Sequence, residues 1–393
     1  SNVRLGVNAG NSIVSGGNYN VVVGDEAGTA LTTGDNNVAV GYGALDLEDT
    51  GTDSVAVGYN ALTAQNNDAA NHNVAVGSSA GAAVTTGVNN TFIGGLAGDA
   101  ITTGIRHTAL GQGSLSTETT GRAAVAVGFN ALATLNVGSN LESYNVAVGS
   151  EAGAAMTVGL RNTIIGGLAG DALTDADDNI AIGQGALGTD TLGSKSVAVG
   201  RAALATQNFT TAADTYNTAV GFQAGTAVTT AVQNTLIGAQ VGDALTQGAR
   251  NTAVGYVALS SDTLGQYSTA VGYAALFSSN QTTAVNTYNV AVGYNAGGAV
   301  TTGLFNTLVG GLSGDALTDA DYNTGLGYLA LSSDTLGSTS TAVGAFALRD
   351  QNLTTATDVY NTAVGYNAGG DVTVGFMNTL VGGLAGDALT DAD

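Results

Sequence analysis

Residues 306–321 read NTLVGGLSGDALTDAD, and residues 378–393 repeat this line with one change, Ser313 against Ala385. Residues 162–177 carry a third copy, NTIIGGLAGDALTDAD. The copies begin 144 and 72 residues apart, which indicates a long internal repeat. Such repeats are typical of folds in which each unit buries its apolar side chains against the next unit.

A shorter period inside this repeat is set by the glycine that ends pentapeptides such as NVAVG at 73–77. From Gly77 to Gly382 this glycine recurs after three steps of 17 residues and one of 21, which together make 72 residues. The steps before Gly77 are less regular. The sequence therefore predicts a single continuous array over residues 1–393. Its parts are a looser first super-repeat (1–72), four regular super-repeats (73–144, 145–216, 217–288 and 289–360) and a partial repeat (361–393).

Each unit alternates as a β-strand does. In NVAVG, Val74 and Val76 share one face, while Asn73 and Ala75 share the other. Dense glycine and frequent Val, Ile and Thr disfavour a helix. Seventeen residues suit short strands and turns that complete one coil, so we predict an all-β fold, a parallel β-roll or β-solenoid of about 22 coils. At about 4.8 Å per coil it would form a rod about 100 Å long.

The composition excludes several classes of partner. The chain has 60 Gly, no Pro and no Cys, and the absence of proline fits a chain with ladder hydrogen bonds in nearly every segment. Eight basic residues oppose 30 acidic ones, for a net charge of −22. This charge argues against nucleic acid and favours an extracellular location on a cell or virion surface. The sequence shows no signal peptide or membrane-length apolar run, so we expect no membrane insertion by this segment and export signals elsewhere in a longer chain.

A column of small residues lies two positions before the repeating glycine. It is alanine in most coils and becomes large once per super-repeat, as at Phe92, where the residue after the glycine becomes small, as at Gly95. Such compensation is typical of close packing, so we expect this column to face outward and to be buried by a second chain. The predicted homo-oligomer interface comprises Ala75, Phe92, Ala126, Ala147, Ile164, Ala198, Ala219, Leu236, Ala291, Leu308 and Leu380.

A second exchange predicts a packed interior. Some coils carry glycine four residues after the repeating glycine and an aliphatic three residues later, as at Gly81 and Val84. Other coils carry leucine at the first of these places, as at Leu187, and the third coil type has Asp or Glu at the later one. These acidic residues are Glu118, Asp190, Asp262 and Asp334.

NTAVGYNAG (361–369), NVAVGYNAGGAVTTG (289–303) and SVAVGYNAL (54–62) resemble the head repeats of trimeric autotransporter adhesins, the YadA-like family. They resemble still more the NTAVGYxAL arrays of bacteriophage tail-fibre proteins. The resemblance covers essentially the whole chain. It implies a left-handed parallel β-roll, three chains around one axis and a rigid stalk displayed on a surface. The adhesin repeat is usually shorter, so this array would be a longer relative.

Motifs for chemistry are weak. Gly183-Gln-Gly185-Ala-Leu-Gly188 matches a dinucleotide fingerprint, but no long helix is predicted after it to offer its N-terminus to a phosphate. His72 and His107 have no catalytic or zinc partner at a repeating position. We therefore predict no enzyme, no cofactor and no metal site in these residues.

Calcium binding and glycosylation are two further possibilities that the sequence leaves open. Clustered acids in TDADDN (174–179) and TDADYN (318–323), with the column Asp99, Asp171, Asp243, Asp315 and Asp387, are candidates for Ca²⁺, although turn-forming aspartates in solvated corners are the favoured explanation. The four extra residues of each long coil must bulge, as in 132–145. Three bulges contain an N-x-T sequon, at Asn208, Asn280 and Asn352, where a glycan could be attached.

The sequence favours a structural fibrous protein, the rigid rod of a phage tail fibre or trimeric adhesin that spaces a receptor-binding tip from a surface. One alternative is a lateral adhesin in which Tyr42, Tyr59, Tyr273, Tyr294 and Tyr366 stack on a cell-surface glycan or matrix receptor. Another is an end-to-end filament, because exposed β-edges invite addition. Ice binding through threonine rows is disfavoured because the TTG pairs do not recur on every coil.

Overall fold

The computed structural model describes residues 1–138 and 141–391, and these are all-β without a helix. The predicted long coil at 132–145 and the final partial repeat each include two residues outside the described part. The chain divides into two compact units, Ser1–Lys195 with Phe209–Ala213, and Ser196–Asn208 with Asp214–Asp393. Both units are built from the same coil, which confirms the predicted parallel β-solenoid of about 22 coils.

One three-residue strand precedes the repeating glycine in every coil. In the first unit these strands are β1 (Val3–Leu5), β2 (Val21–Val23), β3 (Val38–Val40), β4 (Val55–Val57), β5 (Val74–Val76), β6 (Thr91–Ile93), β7 (Thr108–Leu110), β8 (Val125–Val127), β9 (Val146–Val148), β10 (Thr163–Ile165) and β11 (Ile180–Ile182). In the second unit they are β13 (Val197–Val199), β15 (Thr218–Val220), β16 (Thr235–Ile237), β17 (Thr252–Val254), β19 (Thr269–Val271), β21 (Val290–Val292), β22 (Thr307–Val309), β23 (Thr324–Leu326), β25 (Thr341–Val343), β27 (Thr362–Val364) and β28 (Thr379–Val381).

Short two-residue strands accompany the long coils. They are β12 (Gly193–Ser194), β14 (Ala213–Asp214), β18 (Gly265–Gln266), β20 (Val285–Asn286), β24 (Gly337–Ser338) and β26 (Thr357–Asp358). In the second unit β18 pairs in parallel with β20, and β24 with β26. In the long coils at 276–289 and 348–361, a second, brief ladder therefore follows the bulge.

The three-residue strands pair in parallel with strict register inside each unit. From β1 to β11, every strand pairs with the next one along the chain, and equivalent residues lie opposite each other. The same holds from β13 to β28 for the three-residue strands of the second unit. Because the register is residue on equivalent residue, each column of the sequence becomes a column in space.

The repeating glycine is required by the stacking of the corners. Gly149 has φ of +142°, a conformation that side chains rarely adopt. A Cβ placed on it would lie 2.5 Å from the carbonyl oxygen of Gly166 in the next coil. Only glycine lets two corners approach this closely without strain, which explains why this position never varies.

The structure reverses the predicted sidedness of the strands. The middle residue of the strand, such as Ala75, points into the coil and is buried, while Val74 and Val76 on either side are half-buried. This pattern holds in both units, with the middle residues of β1 and β28 as exceptions. We call the first and third residues of the three-residue strands the outer strand face.

The interior is filled in the two ways that the sequence predicts. Coils with leucine four residues after the repeating glycine bury that leucine, as at Leu62, and coils with glycine there bury the later aliphatic, as at Val84. Phe92 lies in the interior against two successive coils of the glycine kind, because a Cβ on Gly98 would lie 2.4 Å from its ring and one on Gly81 would lie 2.8 Å away. At Gly95, which was predicted to compensate for Phe92, an added Cβ would meet no atom of Phe92 within 4 Å and only atoms of neighbouring coils at 3.8 Å or more. The compensating small residues are therefore Gly81 and Gly98.

Candidate functional site

The predicted interface residues lie inside the coil. Ala75, Phe92, Ala126, Ala147, Ile164, Ala198, Ala219, Leu236, Ala291 and Leu308 are fully buried within the single chain, and Leu380 is partly buried beside the last cluster of core residues. Their burial needs no second chain. The expectation that this column is close-packed was correct, but it is packed against its own chain, so it cannot be the surface on which another copy docks.

A ladder of buried asparagines joins successive coils just before each strand. Asn73 donates from Nδ2 to the carbonyl oxygen of Gly87 at 2.8 Å, and its Oδ1 accepts the backbone N–H of Asn90 at 2.9 Å. Asn90 repeats both bonds with Gly104 and His107. Each side chain thus satisfies one carbonyl and one amide that stacking would otherwise bury without partners.

His107 takes the place of an asparagine in this ladder. Its Nε2 lies 2.8 Å from the carbonyl oxygen of Gly121, and its Nδ1 accepts the backbone N–H of Ala124 at 3.2 Å. The two contacts require the neutral ring with its proton on Nε2. Burial lowers the pKa of His107, which favours the same neutral form. His72, in contrast, is exposed.

Once per super-repeat the interior holds a carboxyl group. Glu48, Glu118, Asp190, Asp262 and Asp334 are fully buried, and each accepts the backbone N–H of the glycine three residues later, at distances of 2.8–3.1 Å. In the later super-repeats this glycine is obligatory, because a Cβ on Gly265 would lie 2.2 Å from Oδ2 of Asp262. The carboxyl group therefore closes a turn in the coil that precedes the long coil.

These carboxyl groups belong to small polar networks. Gln351 donates from Nε2 to Oδ2 of Asp334 at 2.5 Å and to Oγ of Ser340 at 3.0 Å, while its Oε1 accepts Nδ2 of Asn361 at 2.9 Å. Glu48, Gln65, Ser54 and Asn73 form the same arrangement in the first unit. A buried network in which all members have partners specifies one packing of the core.

One super-repeat replaces the network with apolar residues. Leu135 and Ala124 are buried at the places of the glutamine and the serine. The acid of this coil is Glu118, whose longer side chain carries Oε2 to the backbone N–H of Val137 at 3.1 Å. At Asp262 the network is smaller, because Ser279 takes the place of the glutamine and donates to Oδ2 at 3.2 Å. Each form of the arrangement gives the buried carboxyl group partners, which is the condition for burying polar groups at low cost. The sequence marks these acids by their recurrence, yet it gives no indication of their burial.

The aspartates proposed for Ca²⁺ are not brought together. Asp99 and Asp171, two members of this column in the first unit, are four coils apart, about 19 Å at the spacing of stacked strands. Burial raises the pKa of Asp99, Asp243 and Asp315, and one carboxylate oxygen of each is buried without a hydrogen-bond partner among the described residues. No group of three potential metal ligands occurs in residues 1–138 and 141–391, and Ca²⁺ binding stays a prediction.

The acidic turns are partly paired. Asp177 accepts the backbone N–H of Leu160 at 2.8 Å, and Arg161 bonds both Asp177 and Asp178 at the surface. The ion pair raises the pKa of Arg161 and lowers that of Asp178. These residues of TDADDN thus act as turn formers with a surface ion pair.

Exposed aromatic side chains form rows along the stacked coils. Tyr42 stacks on Tyr59 at 5.7 Å, and Tyr273 lies between Tyr256 at 5.8 Å and Tyr294 at 5.2 Å, measured between ring centroids. Sugar stacking needs an open ring face, and Tyr273 presents its edges. Only the outer faces of the rings at the ends of a row stay open, so the prediction of glycan binding is limited to those faces.

A second aromatic row was not predicted from the sequence. Tyr267, Tyr288, Phe305 and Tyr322 stack in succession with centroids 4.9–5.8 Å apart, and Arg250 lies 5.3 Å over the ring of Tyr267. All four rings immediately precede the polar ladder position of their coils. The signal in the sequence is this fixed phase, which gives consecutive coils an aromatic residue at the same place.

The sequon asparagines are accessible. Asn208, Asn280 and Asn352 are exposed, as are the threonines two residues later. Asn280 and Asn352 each accept a hydrogen bond at 3.2 Å from a threonine of the preceding coil, and Asn136, which has no sequon, makes the same contact. The asparagine thus has a structural role of its own, and glycosylation stays a prediction.

No enclosed pocket is found in the described part of the chain, and it includes no helix that could span a membrane. The residues of GQGALG at 183–188 form a strand end and a turn, with no helix after them. The chain matches no family model, no curated protein and no solved structure. Function is therefore argued from the geometry of the coils.

Proposed function

We propose that this chain is a structural fibrous protein whose stacked coils act as a spacer. The observation that carries the proposal is the use of the interior polar groups. Asparagine, histidine and carboxyl side chains all form hydrogen bonds that join one coil to the next. A repeat that commits its buried chemistry to stacking is suited to holding length and stiffness, because each coil depends only on its neighbours.

The setting proposed for this spacer is the surface of a virion or a cell. The resemblance to tail-fibre and trimeric adhesin repeats supports that setting, together with three copies around one axis and a receptor-binding tip held at a distance. A net charge of −22 supports an extracellular location, since it keeps a long apolar-cored repeat soluble.

Deletion of one super-repeat tests the spacer role. Removal of residues 217–288 joins Tyr216 to Asn289 and keeps the phase of the coils, because Tyr288 precedes Asn289 in the same way. We expect a folded particle that is shorter by about 19 Å in electron micrographs, four coils at the spacing of stacked strands. Removal of residues 217–252 is the control, since 36 residues are no whole number of coils. Loss of folding in the in-phase variant, or no change in length, would contradict the proposal.

A further inference from the structure

We infer that the outer strand face is the surface on which a second copy of this chain docks. The inference rests on the proposed fibrous function and deepens it by naming the partner and the surface. It also replaces the alanine column, which the structure places in the interior.

The first argument is the composition of the outer strand face. Its 44 positions, two in each of 22 strands, are all Val, Ile, Leu or Thr, and the third residue of the strand is Val, Ile or Leu in every coil. None of these positions is buried in the single chain. Ile93 is 38% exposed, Leu110 40% and Leu326 46%. The interior does not demand this choice, because the middle residue of each strand supplies the packing.

The outer strand face is also free of charge. The chain carries 38 charged residues, yet the outer strand face has none. Two copies with a net charge of −22 repel each other over most of their surfaces. The outer strand face is a surface along which they can approach without bringing carboxylates into contact. Apolar area that is continuous and free of charge is the usual mark of an interaction surface.

The exposed area of the outer strand face and the spacing of its coils suit a second copy of the chain. Two side chains per coil, each exposing roughly a third of its surface, offer on the order of 100 Å² per coil, so about eight coils supply the ~800 Å² per partner of a stable interface. Each unit has eleven three-residue strands. A second copy has the same coil spacing, so its rows of branched side chains match these rows along their length. A lipid surface has no such period, and an anionic one would repel the chain.

Introduction of charge on the outer strand face, compared with a matched control, tests this inference. The test variant carries Val148→Lys, Ile165→Lys and Ile182→Lys, which place three cations on adjacent coils of the outer strand face. The control carries Leu141→Lys, Val158→Lys and Leu168→Lys, which add the same charge at exposed apolar positions off that face. Light scattering measures the mass in solution, and circular dichroism verifies the fold of both proteins.

We expect the unmodified chain and the control to have the mass of two or more chains of 38.3 kDa each. The mass of the test variant should fall toward that of a single chain. A milder set, Val148→Thr, Ile165→Thr and Ile182→Thr, keeps the β-branching that occurs elsewhere on the face and should weaken association by about tenfold or more. If the lysine variant fails to fold, the threonine variant tests the docking surface in its place.

A single-chain mass for the unmodified protein at micromolar concentration would overturn the inference. So would an assembly that the face variants leave intact while the control dissociates. Either result leaves the spacer proposal standing, because the deletion experiment judges that proposal by length and not by stoichiometry. Added salt should strengthen the assembly, since it screens the repulsion between acidic chains.

Discussion

Replacement of Asn234 by alanine tests the buried amide ladder at a coil where both of its coil-to-coil contacts are defined. Asn234 donates from Nδ2 to the carbonyl oxygen of Gly248 at 2.9 Å, and its Oδ1 accepts the backbone N–H of Asn251 at 2.9 Å. The side chain is fully buried. Asn234→Ala would leave one buried carbonyl and one buried amide without partners. At about 1–3 kcal/mol for each orphaned group, we expect a loss of about 2–6 kcal/mol.

Two companion variants separate this cause from general damage. Asn234→His should lose much less, because His107 shows that a neutral imidazole can make both contacts in a regular coil. Thr230→Ala, at an exposed position four residues away, should change stability by about 0.5 kcal/mol or less. Chemical denaturation gives the free energy of unfolding for the set.

Hydrogen exchange localises the effect. The amide of Asn251 should lose protection selectively in Asn234→Ala, because its acceptor is the deleted oxygen. Nearest-neighbour coupling of a solenoid should confine most of the change to adjacent coils. Equal losses for alanine and histidine at position 234, or an unchanged Asn251 amide, would refute the assignment of the ladder as a main source of coil-to-coil stability.

Three further predictions concern the acid network, the histidine and the corner glycine. Gln351→Leu alone should destabilise the chain by about 1–3 kcal/mol in chemical denaturation, because it removes the donor to Asp334 and Ser340. The triple variant Gln351→Leu, Ser340→Ala and Asp334→Glu reproduces the combination of Leu135, Ala124 and Glu118 and should recover most of the lost stability. His107 has a lowered pKa in the folded chain, so its contribution to stability is present above the unfolded value of about 6.5 and is lost as pH falls from there through the folded pKa. Thermal unfolding of His107→Asn between pH 8 and pH 5, about 1.5 units on either side of that value, should lack this component, and an unchanged pH profile would contradict it. Gly149→Ala should unfold at a clearly lower temperature because its Cβ would lie 2.5 Å from the Gly166 oxygen, whereas Gly383→Ala, with nothing within 4 Å, should be neutral.

Much of the backbone could be predicted from the sequence because the repeat fixes it. The 17-residue spacing, the alternation around Ala75 and the constant glycine lead to parallel strands stacked residue on equivalent residue. The two alternative positions of the buried aliphatic side chain, as at Leu62 in one kind of coil and at Val84 in the other, could also be predicted from the sequence. These features depend on local geometry and on the requirement that identical units stack, so one chain read alone is sufficient to predict them.

The direction in which the strands face could not be predicted in the same way. Alternation in NVAVG is symmetric, and hydrophobicity alone would place Val74 and Val76 inside. The structure places Ala75 inside because the coil is narrow and a second side chain, such as Leu62, already occupies it. The decisive signal was that Phe92 coincides with Gly81 and Gly98, and its geometric meaning appears only when the coils are stacked. The buried carboxyl groups were missed for a related reason, since a charged residue in a polar turn is usually solvated.

Reversal of the strand faces changes what the aliphatic residues imply. If valine were the core residue, its presence in every coil would need no further explanation. With alanine in the core, the third residue of the strand is free to be polar, yet Val, Ile or Leu stands there in all 22 coils. Water would tolerate serine, lysine or glutamate at such half-exposed positions, and threonine already occupies many of the first positions of the same strands. The β-propensity of Val, Ile and Thr accounts for part of this composition. It does not account for the exclusion of every polar residue from the third position, which the inferred contact with a sister chain would explain.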